Sequence, residues 1–288
     1  MASCLKSPDN RNVLAHYMFI QRLLVVLVFG PAALFAIYRG GLFYFLPLAT
    51  ILVLATIEYS QIMQRLGWQV SHWLLIPAVL LQLAAGQWLA PDYFAPLLVV
   101  SLLAVLGYSL WLYEHSISRT APADWLAMTA GILLLGWIGS HFFRLRGLEQ
   151  MAWQWTMLAI VGTWVADSAA YVVGRFMAGK VILGRHQLTP RLSPNKTVEG
   201  YVGGIVIGTA VMLGLAYLLQ LPLGAGLALG LVITVLSPLG DLGISLLKRE
   251  AGIKDSGNLF PGHGGALDRL DSLIWSVTMA YYFVLFVS

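Results

Sequence analysis

Apolar residues in this chain come in long runs of 16 to 24 positions, divided by short polar joints, with little of the alternation that marks a half-buried strand. A helix needs about 20 apolar residues to cross the hydrocarbon core of a bilayer. Nine runs qualify: 23–38, 42–62, 73–89, 93–113, 125–143, 153–173, 198–219, 223–246 and 270–287. The pattern predicts an all-α fold, a polytopic integral membrane helix bundle of about nine transmembrane helices. Lys6 and Arg11 precede the first run as they would in a signal peptide. Eight further runs follow it, so it reads as a retained helix. Tyr38, Trp73, Trp88, Tyr93, Tyr113, Trp125 and Trp153 stand at run ends, as an interfacial aromatic belt requires. Gly204 with Gly208, and Gly226 with Gly230, have the spacing that lets helices pack closely.

Composition narrows the class without changing the architecture. Of 288 residues, 59% are hydrophobic and 10% charged, against about 25% charged in soluble domains. Disorder is excluded because it needs low hydrophobicity and high charge. With Cys4 as the single cysteine, a disulfide framework and a cysteine-built zinc site are excluded too. A cytoplasmic N-terminus puts 14 of the 17 Lys and Arg on that side, leaving Arg39, Arg144 and Arg146 opposite. This is the positive-inside bias, and with nine spans it places the C-terminus outside.

The chain divides by character. Residues 1–150 are plain spans with short loops, a packing half that could also offer a homodimer surface. Residues 151–288 hold nearly all the polar chemistry, and nine of the 17 basic residues lie in 175–196 and 248–269. Asp167 and Asp241 lie inside apolar runs. A carboxylate at the centre of a membrane helix costs about 2.5–3.5 kcal/mol on insertion scales, so such residues usually face a polar interior and mark a site. Asp268 and Asp271 stand three residues apart and share a helix face. Two carboxylates that close repel unless a cation lies between them, and a divalent ion with oxygen ligands is the natural one. The competing reading is a helix first turn, where Asp is favoured by the dipole. Asp241 as a third acid tips the balance toward a metal.

Upstream runs Lys254-Asp-Ser-Gly-Asn-Leu-Phe-Pro-Gly-His-Gly-Gly265, whose Pro261, Gly262, Gly264 and Gly265 are incompatible with regular helix. A tight loop with bared amides, flanked by Lys248, Arg249, Lys254 and Arg269 and containing Asp255 and His263, suits a polyphosphate. His263 alone is weak, since a loop histidine is more often a hydrogen-bonding bystander than a base. In Ser193-Pro-Asn-Lys-Thr-Val-Glu-Gly200, Ser193 or Thr197 could cap a helix and Glu199 suits its first turn. Lys196 at a helix start opposes the dipole unless an anion binds there, which favours phosphate binding.

These residues together resemble a known family. Ser245-Leu-Leu-Lys-Arg, the run Lys254–Gly265 and Ala-Leu-Asp-Arg-Leu-Asp271 resemble the phosphatidate cytidylyltransferase (CDP-diacylglycerol synthase) motif over about 27 residues. Asp167-Ser-Ala-Ala-Tyr-Val-Val-Gly-Arg175 and Ser193–Gly200 resemble two further blocks of that family. Ala266 replaces a larger aliphatic residue of the motif, and Asn195 and Val198 stand where many members have Lys and Trp. The resemblance implies that CTP and phosphatidic acid give CDP-diacylglycerol and pyrophosphate. It implies Mg²⁺, with a second cation such as K⁺, held by Asp241, Asp268 and Asp271. Lys196, Lys248, Arg249 and Arg269 would contact phosphates, and Ser193, Lys254, Asp255, His263, Gly264 and Asp167 would complete the substrate site. The expected setting is a bacterial inner membrane with the site on the cytoplasmic face and no nucleic-acid partner. Two alternatives are kept: a CTP-dependent kinase or cytidylyltransferase acting on a polyprenol or ether lipid, and an ion-coupled transporter. The transporter would show inverted repeats or broken helices in matching halves.

Overall fold

The computed structural model describes residue 27 and residues 30–179, 186–257 and 264–287, and nearly all of it is helix. Helix α1 is described over 30–39. There follow α2 (Gly41–Arg65), α3 (His72–Trp88), α4 (Phe94–Glu114), α5 (Ala121–Gly131), α6 (His141–Arg146), α7 (Ala152–Phe176), α8 (Val198–Leu218), α9 (Leu223–Leu236), α10 (Pro238–Glu250), α11 (Leu267–Leu270) and α12 (Leu273–Val287). A two-stranded antiparallel hairpin, β1 (Gln187–Thr189) and β2 (Ser193–Thr197), precedes α8.

Among the described residues, seven helical stretches are long and apolar enough to cross a membrane. They take in the expected runs from 42–62 onward, except 73–89, which is the 17-residue helix α3. The first expected run begins outside the described residues. Three stretches are interrupted helices: α5 passes through a π-helical turn (Ile132–Ile138) before α6, α9 gives way to α10 at Ser237–Pro238, and α11 to α12 at Asp271–Ser272. Pro238 accounts for the second, since it has no N–H to continue the ladder of α9. Two of these three breaks, those around Asp241 and Asp271, fall in the second half of the chain.

One cluster of buried side chains runs from Ile37 to Val284, so both halves share a core. Large apolar side chains such as Val100, Leu103, Val206 and Leu218 remain exposed, as expected for a surface whose solvent is lipid. The α7–α8 pair is the closest packed. A β-carbon at Gly204 would come within 2.9 Å of Ala170 Cβ, and one at Gly208 within 2.8 Å of Ala166 Cβ. A β-carbon at Gly226 would likewise strike Ala216, while one at Gly230 would touch Met212 Cβ at 3.3 Å. Close backbone approach between apolar helices replaces the hydrophobic drive that lipid cannot supply.

Gly208→Ala should therefore destabilise the protein by about 1–3 kcal/mol, the usual cost of an overpacked core. Gly214→Ala, at a position in the same helix with nothing within 4 Å of the added carbon, should leave stability unchanged within about 0.5 kcal/mol. Thermal unfolding of the two variants in one detergent checks the contrast.

Candidate active site

The three polar blocks meet where the helices of the second half begin and break. Thr197 ends β2 and caps α8, its Oγ1 accepting from the Gly200 amide at 3.0 Å. Gly174 of α7 lies against this cap, since a β-carbon there would sit 2.9 Å from Thr197 Oγ1. The cap fixes Lys196 just ahead of α8. Its ammonium does not counter the helix dipole but reaches across to Asp241 Oδ2 at 2.5 Å. Asp241 occupies the first turn of α10, where the dipole favours a carboxylate, and also accepts from Ser245 Oγ at 3.2 Å.

Gly240 brings this turn against the next one. A β-carbon at position 240 would collide with the backbone carbonyl of Asp271 and the ring of Trp275. Only a glycine allows the two helix breaks to touch, and their contact places Asp241 and Asp271 on facing turns. Asp241 acts electrostatically on both Asp271 and Asp167, and Asp167 also feels Lys196 and Arg269. Asp167 projects from α7 with an exposed side chain. Asp271 Oδ1 accepts from the Ser272 amide at 2.7 Å. Beside it, Leu135, Ile244, Leu267, Leu270 and Ile274 line a small apolar pocket under the π-helical turn.

Asp268 has a different setting. Its Oδ1 holds Lys248 Nζ at 2.5 Å, and its Oδ2 accepts from the amides of Ser256 at 2.9 Å and Gly265 at 3.0 Å. Both side chains of this ion pair are under a tenth exposed. Arg249 serves the scaffold, donating to the carbonyls of Leu192 and Ile253 at 3.1 Å and so tying the hairpin to the end of α10. Ser193 begins β2 and is half-buried, while Lys254, Asp255 and Arg269 are exposed. Gly264 adopts φ 82°, a left-handed conformation that suits glycine, and a β-carbon there would lie 2.6 Å from Asp268 Oδ2. His263 lies outside the described residues.

The sequence pattern did not single out Glu58. This carboxylate of α2 is 8% exposed and accepts three hydrogen bonds, from Ser256 Oγ at 2.7 Å and from the amides of Ala266 and Leu267 at 2.9 Å each. The signal was available, because Glu58 interrupts the apolar run 42–62 as Asp167 interrupts 153–173. The other buried acid of the first half, Asp124, is satisfied near the helix ends it joins, by Ser118, Thr120 and the Gln69 amide.

The donor set suits a hard cation. Asp241 and Asp271 offer carboxylate oxygens from facing turns, and Mg²⁺ is commonly held by one or two carboxylates with substrate phosphates and water filling its shell. No three of His, Cys, Asp and Glu among the described residues lie close enough together to hold an ion. Asp268, already engaged by three donors, is not grouped with the other two here.

A sequence model described as the cytidylyltransferase family matches residues 20–287. The chain belongs to the cytidylyltransferase family. Among curated relatives, the phosphatidate cytidylyltransferase of Brucella suis biovar 1 (strain 1330) is 32% identical over 271 residues, covering 91% of this chain and 92% of the relative. The protein of the same description from Bacillus subtilis (strain 168) is 38% identical over 186 residues, covering 64% of this chain and 66% of the relative. That from Synechocystis sp. (strain ATCC 27184 / PCC 6803 / Kazusa) is 39% identical over 177 residues, 57% of each chain.

The two lysine–aspartate pairs differ in burial and should differ in energetic weight. Lys248→Met leaves the buried Asp268 charge without its ion partner and should cost about 3–5 kcal/mol. Lys196→Met breaks a pair whose side chains are 27% and 32% exposed and should cost about 1 kcal/mol or less. Thermal unfolding of both variants in detergent micelles measures the difference.

Proposed function

We propose that the protein transfers the cytidylyl group of CTP to phosphatidic acid, giving CDP-diacylglycerol and pyrophosphate, at the cytoplasmic face of a bacterial inner membrane. The observation that carries this reading is that Lys196, from ahead of α8, pairs with Asp241 on a turn packed against that of Asp271, while Lys248 pairs with Asp268. The name shared by the curated relatives supports the same reaction. The 14 of 17 basic residues on one side support the sidedness.

The chemistry needs no Ser, Cys or His nucleophile. The phosphate oxygen of phosphatidic acid attacks the α-phosphorus of CTP, the new O–P bond forms, and the bond to the β-phosphate oxygen breaks as pyrophosphate leaves. The difficulty is electrostatic, because two polyanions must approach and the leaving group gathers charge. Lys196 and Lys248 are poised for this work, each ammonium resting on an aspartate that a phosphate can replace. Arg269 is exposed beside them, and Arg249 holds the hairpin so that Lys196 keeps its place. Asp241 and Asp271 are the acids that would hold Mg²⁺, and Asp268 joins them only by releasing Lys248 to a phosphate. When bound, the ion supplies a Lewis acid that neutralises phosphate oxygens and aligns the triphosphate.

The test uses purified protein in mixed micelles with Mg²⁺, phosphatidic acid and CTP labelled in the cytosine ring. Label entering the lipid phase, with one pyrophosphate released per labelled lipid, is the expected result. Label left in CDP with a phosphorylated lipid would show a CTP-dependent kinase. No phosphatidate-dependent transfer would overturn the assignment of the acceptor.

A further inference from the structure

Glu58 lies on the half of the chain that carries none of the groups assigned to the reaction, yet among the described residues its hydrogen bonds go to Ser256, Ala266 and Leu267, at or near Asp268's amide donors. Ser256 and the stretch Gly265–Leu267 are joined through two carboxylates. Ser256 donates its hydroxyl to Glu58 and its amide to Asp268, while Gly265 donates its amide to Asp268 and the next two residues donate theirs to Glu58. Asp268 then holds Lys248. Glu58 is thus linked to Lys248 through Ser256 and the Gly265–Leu267 backbone and then Asp268.

The glycines on either side show how closely the loop is fitted to this carboxylate. A β-carbon at Gly257 would strike Glu58 Oε1, and one at Gly265 would strike Glu58 Oε2 and Ser256 Oγ. A carboxylate suits the position because it is purely an acceptor and can take the hydroxyl and both amides at once. A glutamine of the same shape would turn two N–H donors toward groups that already donate. The cost of burying the charge is offset by these three donors, two of them backbone amides.

From this geometry we infer that Glu58 is a positioning residue of the nucleotide site: it fixes Ser256 and Gly265–Leu267 so that Asp268 presents Lys248 to the triphosphate. The inference rests on the reading of the site as a CTP site. Its consequence is a selective loss. With Lys248 taken to serve the triphosphate, the loss falls on CTP rather than on phosphatidic acid.

The experiment compares wild type, Glu58→Gln, Ser256→Ala and the double variant, measuring KM for CTP and for phosphatidic acid, and CTP·Mg²⁺ affinity by calorimetry without lipid. Glu58→Gln should raise KM and Kd for CTP about tenfold or more, the scale typical when a group supporting a ligand-binding residue is lost. KM for phosphatidic acid should stay within about twofold. Ser256→Ala should give a smaller rise in the same direction and add little in the double variant, because both cut one network. A merely structural role would lower the active fraction, and with it the apparent kcat, while leaving KM and Kd unmoved. CTP affinity within about twofold of wild type in Glu58→Gln, or effects that multiply fully in the double variant, would overturn the inference. If Glu58→Gln does not accumulate as folded protein, an unchanged KM for CTP in Ser256→Ala overturns it instead. Wild type that neither binds CTP nor transfers label would fail at the functional reading, before Glu58 enters.

Discussion

A carboxylate placed inside a helix bundle that crosses a membrane must be given donors, because the surroundings supply none. The second half of this protein is arranged around that requirement. Asp268 is satisfied by Lys248 and two amides, Glu58 by a hydroxyl and two amides, and Asp241 by Lys196 and Ser245. The amides of Ser256 and Gly265 are free to serve because the chain is not helical at either residue. The lysines are in reach because Thr197 starts α8 one residue after Lys196, and because Lys248 lies in the last turn of α10. Helix ends and breaks, which would otherwise expose unpaired backbone groups, become the sites where charge can be held.

Much of this was legible in the sequence, and the parts that were not share a cause. Long apolar runs report helices directly, so the architecture followed from hydropathy alone. Asp167 and Asp241 announced themselves as charges inside such runs. Gly204 and Gly208 marked the tight α7–α8 contact by their spacing, and Gly200 carries the same contact to the cap at Thr197. Pro238 held the signal for the break between α9 and α10, although the apolar pattern ran straight through it. The hairpin of β1 and β2 left no such trace, because a few polar residues between spans have no period to read. Asp268 and Asp271 looked like one face of one helix. In the structure Lys248 and two amides hold Asp268, while the turn at Asp271 packs on Gly240. Glu58 had the same intramembrane signature as Asp167, but its partners are backbone amides of residues 266 and 267. Backbone donors have no residue identity, so no sequence pattern can announce such a pairing.

The functional account follows from charge rather than from a nucleophile. Two polyanionic substrates are to be joined, and the site answers with lysines resting on aspartates, each pair able to exchange an internal partner for a substrate or an ion. That exchange pairs each lysine inside the bundle and still supplies its full charge when CTP binds. The first half of the chain contributes more than a packing surface, because α2 reaches the loop through Glu58 and the shared core runs through both halves.

The most direct measurement of this account is the position of a bound ion. Crystals grown with Mn²⁺ in place of Mg²⁺ and with CTP would be measured for anomalous scattering. The account predicts a peak between the facing turns, within coordination distance of the carboxylates of both Asp241 and Asp271, with Lys196 or Lys248 turned to a phosphate. A peak remote from Asp241 and Asp271, or CTP bound with both lysines still on their aspartates, would contradict it.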